Sequence, residues 1–265
     1  MDDTDAPSQG TVRARVAYHG AEFHGFAAND GVVTVEGTLS DALRRVTGTS
    51  LRISAAGRTD AGVHASGQVV SFDLPLGTDL EALARSLNAL CAPSVAVRSM
   101  EWAEPGFDAR SSATWRRYRY TVLNSAVHDP LLVDRAWHIR APLSIPLMNL
   151  ACDPVLGEQD FASFCRRPPV AEGGREPSLH RWVFEAGWRE EGAGILVFEI
   201  RANAFCHQMV RSLTGFLVDV GATRRPASDM RAVLAGRDRN HGSRVAPPHG
   251  LVLVDVGYDG RRVHP

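Results

Sequence analysis

Apolar residues in this chain switch repeatedly between two spacings, and that switching restricts the possible folds more than any other feature. In TVRARVAY (11–18) they alternate as in a half-buried strand, whereas Val35, Leu39, Ala42, Leu43 and Val46 recur at the spacing of an amphipathic helix. SLRISAA (50–56) and GQVVSFDL (67–74) read as strands, Leu80, Leu83, Ala84, Leu87 and Leu90 as a second helix, and SVAVRSMEW (94–102) as a further strand. The mixture then resumes. ATWRRYRYTVL places Tyr118, Tyr120 and Val122 on one face of a strand and Arg117, Arg119 and Thr121 on the other, and a helical stretch follows near 145–156. HRWVFEAGW and GILVFEIRAN are two more strands. In FCHQMVRSLTGFLVDVG a helical stripe of Phe205, Met209, Leu213, Phe216 and Val220 ends on Gly221, which suits a C-terminal cap. Pro226 fits the first turn of another helix, and LVLVDVGY (251–258) closes as a strand.

Strands and helices intermixed in both halves predict an α+β fold: a mixed or antiparallel sheet shared by two similar halves, with helices packed on it and a cleft between them. The expected division is a disordered tail at 1–10, a first half at 11–107 and a second at 108–265. RRPPVAEGGREP (166–177) is expected to be a polar, mobile loop. No apolar run approaches the roughly 20 residues that span a bilayer, and MDDTDAPSQG is acidic where an export signal is basic and then apolar. The expectation is a cytoplasmic protein without membrane contact. Cys91, Cys152, Cys165 and Cys206 lie far apart with no C-x-x-C pair, which predicts reduced thiols rather than a zinc ribbon or a disulfide framework.

Charge narrows the partners. The formal net charge of −1 becomes about +2 once Asp2, Asp3 and Asp5 of the tail are set aside. All 29 basic residues are arginine, which excludes Schiff-base and P-loop lysine chemistry. They cluster at Arg44 and Arg45, at Arg166 and Arg167, at Arg224 and Arg225, and above all at Arg110, Arg116, Arg117 and Arg119, a stretch without one acid; the set suits a polyanion.

The segment G-R-T-D-A-G-V-H-A (57–65) lies between two strand-like runs. Asp60, flanked by Gly57 and Gly62, is either an Asx-turn residue or a carboxylate displayed by a loop, with Arg58 able to hold it ionised or to contact phosphate. Asp60 and His64 lack a nearby third ligand, so no metal is expected. A paired acid for glycoside hydrolysis, a nucleophile elbow and a dinucleotide fingerprint are all missing from the sequence.

Seven segments in order resemble the bacterial tRNA pseudouridine synthase A family: Y-H-G-A-E-F-H-G-F (18–26), G-R-T-D-A-G-V-H-A (57–65), S-L-N-A-L (86–90), F-D-A-R-S-S-A-T-W-R-R-Y-R-Y (107–120), L-G-E-Q-D-F-A-S-F (156–164), A-N-A-F-C-H-Q-M-V-R (202–211) and A-P-P-H-G-L (246–251). The resemblance implies the pseudouridine synthase fold. It also implies cofactor-free isomerisation of uridine to pseudouridine at nucleotides 38, 39 and 40 of the tRNA anticodon stem-loop, by a homodimer with one tRNA lying across both subunits. Residue by residue, Asp60 matches the family's catalytic aspartate, Tyr118 its active-site tyrosine, Arg211 the arginine expected to pair with that aspartate, and Arg58 an arginine expected to contact RNA. Two departures stand out: the family's Trp-Gln after the first motif's glycine is Phe26-Ala27 here, and its His-His before M-V-R is His207-Gln208. Without the resemblance, Tyr118 reads equally as a core aromatic and Arg211 as a solvated helix residue. A non-catalytic RNA-binding module and a nucleoside or glycoside hydrolase are the alternatives; the second would need an acid pair or an acidic metal cluster.

Overall fold

The computed structural model describes residues 9–167 and 177–260. In chain order these form β1 (Gln9–Tyr18), α1 (Val35–Thr47), β2 (Ser54–Ala55), β3 (His64–Pro75), α2 (Leu80–Cys91) and β4 (Val95–Trp102). There follow β5 (Trp115–Asn124), β6 (Trp137–Ile139), α3 (Ile145–Cys152), β7 (Gly157–Asp160), β8 (His180–Glu190) and β9 (Ile195–Ala202), then α4 (Met209–Gly221), α5 (Asp229–Gly236) and β10 (Leu251–Gly257). The class is α+β, as the alternating periodicities predict. The described residues divide into two compact units, one of residues 9–113 with Leu253–Tyr258, the other of residues 114–167, 177–252 and 259–260.

In the first unit the strand order is β4-β1-β3-β10, with β2 also on β3. β1 is antiparallel to both neighbours, Val12 facing Phe72 on one side and Trp102 on the other. Period-two alternation buries Val12, Ala14 and Val16 and leaves the arginines between them on the outer face. Thr34 Oγ1 accepts the Gly37 N–H at 3.2 Å and Asp79 Oδ1 accepts the Ala82 N–H at 2.9 Å, so α1 and α2 each start on a side-chain cap, typically worth about 1 kcal/mol. Leu39, Leu43, Leu83 and Leu87 supply their buried stripes.

The second unit has the order β5-β9-β8-β7, all antiparallel, with β6 added parallel to β5. Tyr120, Val122, Phe198 and Ile200 build the core from the sheet, and α4 adds Met209, Leu213, Phe216 and Leu217, all essentially without exposure.

Several boundaries differ from the sequence reading. Gln9 and Gly10 belong to β1 rather than to a tail, and residues 1–8 fall outside the described residues, as does most of the 166–177 loop. Only Ser54–Ala55 of the 50–56 run pairs as a strand. The helical stretch near 145 stops at Cys152, and Asp153–Val155 tightens into a 3-10 turn at Pro154. Phe205 precedes α4 instead of riding on it, because Gln208 takes a left-handed conformation (φ +65°) and no helix passes through it. Gly221 is the last helical residue, not the cap; a Cβ there would lie 2.7 Å from Met148 Sδ, so close packing requires the glycine. Pro226 lies in a turn, and α5 begins three residues later at Asp229.

The cysteine reading is also corrected. Cys165 and Cys206 are joined as a disulfide with Cα atoms 5.7 Å apart, while Cys91 and Cys152 are free and buried. A separation of 41 residues says nothing about pairing; the fold brings the segment after the 162–164 turn against the segment entering α4, where the Arg166 N–H also donates to His207 O at 2.9 Å. Closing a loop of that length is worth about 4 kcal/mol in the chain-entropy description. Protein denatured without reductant should therefore titrate two thiols per chain; four would show that the pair is open.

Candidate active site

The G-R-T-D loop joins β2 to β3, and its shape is fixed by the first motif together with its own sequence. Phe26 N–H donates to Thr59 O at 3.0 Å, Gly62 N–H to Phe23 O at 3.3 Å, and Val63 N–H to Asp60 O at 3.1 Å. Gly62 has φ +77°, a conformation that side chains resist. Gly20 N–H donates to His64 Nδ1 at 2.9 Å, and a Cβ on Gly20 would sit 2.0 Å from Val63 O. Y-H-G-A-E-F-H-G-F and G-R-T-D-A-G-V-H thus interlock backbone to backbone.

Beneath the loop lies a buried polar group of three. Tyr18 OH pairs with Thr59 Oγ1 at 2.8 Å; Gln68, with no exposure, donates to Gly57 O at 2.6 Å and to Tyr18 OH at 3.4 Å. Burial pushes the Tyr18 hydroxyl up to about 12, against the opposing pull of its Thr59 and Gln68 hydrogen bonds, so it stays neutral. A satisfied buried network of this kind favours one loop conformation over others. Sequence reasoning passed over it. The signal was present in Gln68, a polar residue in an apolar strand run.

Asp60 is half-buried at the head of this loop and Arg58 is exposed. Arg58 lines a cavity of ≈580 Å³ with Arg52, Arg110, Glu36, Asp73 and Asp108. Arg52 was not anticipated; Arg110 was, as part of an arginine cluster. Asp108 Oδ1 accepts the Arg110 N–H at 3.0 Å, the Ser111 N–H at 2.6 Å and the Ser111 hydroxyl at 2.8 Å. Burial pushes the Asp108 carboxyl up, but hydrogen bonds from Ser54, Ser111 and Arg110 outweigh that and hold it at about 2. A depressed carboxyl stabilises the fold fully above the ordinary range near 4 and loses that contribution as pH falls toward 2. Asp108→Asn should lower stability at neutral pH, where the carboxylate contributes in full, and flatten the stability-against-pH curve between about 4 and 2, so that variant and wild type converge in acid, measured by denaturant unfolding.

His64 is 6% exposed, accepts from Gly20, and lies 4.7 Å from the His19 ring, so it packs the loop. Phe26, a departure from the family pattern, is a core residue 6.1 Å from the Tyr18 ring.

The other two expected site residues lie in the second unit. Tyr118, on β5, is 8% exposed and packs edge-to-face with Phe205 at 5.0 Å. Tyr120 on the same face has no exposure and donates to Pro247 O at 2.8 Å. Arg211, half-buried in the first turn of α4, donates from Nε to Ala246 O at 2.8 Å, and the Ala246 N–H returns to Arg211 O at 3.1 Å, so A-P-P-H-G-L is the strap that orients it. Burial raises the Tyr120 hydroxyl far above its usual range, with the nearby Arg211 and Arg244 charges pulling it back. Gln208, the second departure, accepts from Arg239 at 2.5 Å.

One expectation fails. The arginines of β5 are not a bare grip for phosphate: Arg116 is buried and donates to Asn203 O at 2.8 Å, Arg117 faces Glu185 at 3.5 Å, and Arg119 is ion-paired with Glu191. Arg201 and Arg189 extend the pairing to Glu185 and Glu199 at 2.6 and 2.7 Å. Antiparallel neighbours bring acids from β8, β9 and the following turn opposite the basic face of β5, a pairing that the acid-free stretch of sequence does not reveal.

The family described as "tRNA pseudouridine synthase" matches residues 151–259. A tRNA pseudouridine synthase A of Streptomyces griseus is 41% identical, covering 97% of this chain and 91% of that one. One of Frankia casuarinae is 42% identical over 95% and 91%, and one of Bacillus velezensis 37% identical over 94% and 99%. Among solved structures a Cbf5–Nop10–Gar1 complex aligns at a TM-score of 0.32 and 11% identity over 78% of this chain and 54% of that one, too distant to weigh. Identity at this level over nearly the full length of both chains settles the matter: the chain belongs to the tRNA pseudouridine synthase A family of isomerases.

Proposed function

We propose that this protein isomerises uridine to pseudouridine at nucleotides 38, 39 and 40 of the tRNA anticodon stem-loop, with Asp60 as its catalytic carboxylate and without a cofactor. The observation that carries the reading is the interlocked loop, which holds Asp60 half-buried two residues from Arg58, itself on the wall of a cavity shared by Arg52, Arg110, Glu36, Asp73 and Asp108. The N1–C1′ bond breaks, the uracil turns, C5 bonds to C1′, the proton on C5 leaves and N1 takes one up, so that substrate and product have the same atoms. An ionised carboxylate serves such a sequence as nucleophile or as base, because it can bond or take a proton and then depart.

The target nucleotide has to leave the stack at a cost of about a few kcal/mol. Arg58 is assigned to RNA phosphate, and Arg211 to supplying the positive charge that keeps a carboxylate ionised away from water. Tyr118 is assigned to stacking on the uracil, worth roughly 1–3 kcal/mol. At 8% exposure it has no free face, so base entry displaces Phe205, which sits on the non-helical segment before α4. A homodimer acting on cytoplasmic tRNA belongs to the same reading; no helix among the described residues is long and apolar enough to cross a membrane.

Tritium release from tRNA carrying 5-tritiated uridine tests the reaction, with tRNAs lacking uridine at 38, 39 and 40 as controls. Release without added metal or nucleotide supports it; equal release from the control tRNAs sinks the positional assignment. Tyr118→Phe keeps the ring and is expected to be about tenfold or more as active as Tyr118→Ala. Equal losses would mean that stacking is not the tyrosine's main task.

A further inference from the structure

A second cavity, of ≈380 Å³, opens in the Thr114–Val252 unit. Ala162 and Cys165 form its apolar wall, and Arg166, Arg167, Arg237, Asp238 and Arg239 the polar one. Four guanidinium groups around one space repel each other unless acids intervene. Among the described residues the acids that meet Arg237 and Arg239 are few: Arg237 Nε pairs with Asp160 at 3.0 Å, a carboxylate that also faces His180 at 3.6 Å. The Asp238 carboxylate caps the following turn through the Asn240 N–H at 2.9 Å. Arg239 donates to Gln208, an uncharged partner, and burial together with the Arg166 charge lowers its pKa. This is the opposite of the β5 face, where glutamates match the arginines nearly one for one.

We infer that this pocket binds the phosphodiester backbone of the RNA substrate, Arg166 and Arg239 supplying the principal contacts. Guanidinium forks match phosphate oxygens in geometry and stay charged when half-buried. The walls are already ordered: the Arg166 N–H is fixed on His207 O, Cys165 is bonded to Cys206, and Arg239 opens a capped 3-10 turn, so little freedom is lost on binding. Gln208 in place of the family's second histidine gives Arg239 a neutral acceptor, which leaves its charge to the ligand. Because more cationic groups line the pocket than one phosphate needs, a polynucleotide suits it better than a free anion. The inference rests on tRNA being the substrate.

The test is the salt dependence of tRNA binding by the full-length protein, read by filter binding, alongside KM and kcat. Arg166→Gln with Arg239→Gln should reduce the slope of log K against log salt by roughly 1–2, since each phosphate contact contributes about 0.7–0.9. KM should rise roughly tenfold with kcat unchanged, as loss of uniform binding requires. Arg166→Lys with Arg239→Lys should restore the slope. An unchanged slope in the glutamine variant, with wild-type thermal stability, overturns the proposal; if that variant unfolds, Arg166→Gln alone, at an exposed position, is read instead, with a slope loss near 1 expected. Titration with inorganic phosphate separates the sources: saturable binding lost in the glutamine variant, with an unchanged tRNA slope, would make the pocket a small-anion site and overturn the RNA assignment. Absence of pseudouridine from wild-type protein would refute the catalytic reading instead, and the binding slope would still decide the pocket.

Discussion

Asp60→Asn is expected to lower tritium release by at least ~10³-fold while tRNA affinity stays within severalfold, because loss of a group acting directly on the reacting bonds removes transition-state stabilisation rather than binding. The substitution separates the two roles that the sequence leaves open. Asparagine is as good a turn residue as aspartate and retains the main-chain acceptor used by the Val63 N–H, so the loop keeps its shape. It has neither the charge nor the basicity of a carboxylate. If Asp60 merely closes a turn, the variant works normally, and the proposed chemistry is wrong. If the carboxylate takes part, the variant binds tRNA and does nothing with it.

Gly20→Ala should be almost as damaging at a residue with no chemistry to perform. The added Cβ would lie 2.0 Å from Val63 O and 2.4 Å from Val63 C, main-chain atoms that cannot swing aside as a side-chain tip does. Overpacking of this kind typically costs about 1–3 kcal/mol. The strain falls on the connection that holds the Asp60 loop, and displacement of a reacting group by about 1 Å can cost 10²-fold in rate. The expected result is a loss of roughly 10²-fold in kcat, with a stability loss of about 1–3 kcal/mol by denaturant unfolding. Gly187→Ala is the control, since its Cβ would meet only Asn149 Oδ1 at an ordinary 3.6 Å. Wild-type kcat in Gly20→Ala would show that the loop does not depend on the first motif.

The elements were largely legible because periodicity reports which face of a segment is buried, a local property. Tyr118, Tyr120 and Val122 share the buried face of β5 as their alternation requires, and the α1 and α2 stripes pack as spaced. Ends were less legible. Phe205 matches the helical stripe of α4 yet stands outside it, because Gln208 breaks the helix, and Gly221 looks like a cap while its real constraint is Met148, a residue on another helix.

The site divides the same way. Residue types along the chain determined that a carboxylate between two glycines, several arginines and a tyrosine were available, that lysine mechanisms were not, and, through seven ordered segments, which family to expect. Only the tertiary structure decided how those residues are used. It placed Gly20, Tyr18 and Gln68 under the Asp60 loop, set glutamates against the arginines of β5, joined Cys165 to Cys206, and gathered Arg166 and Arg239 around one pocket. The reason is physical: periodicity and motif spacing record constraints between near neighbours, whereas charge compensation, hydrogen-bond satisfaction and steric exclusion act between atoms that meet only after distant segments have packed.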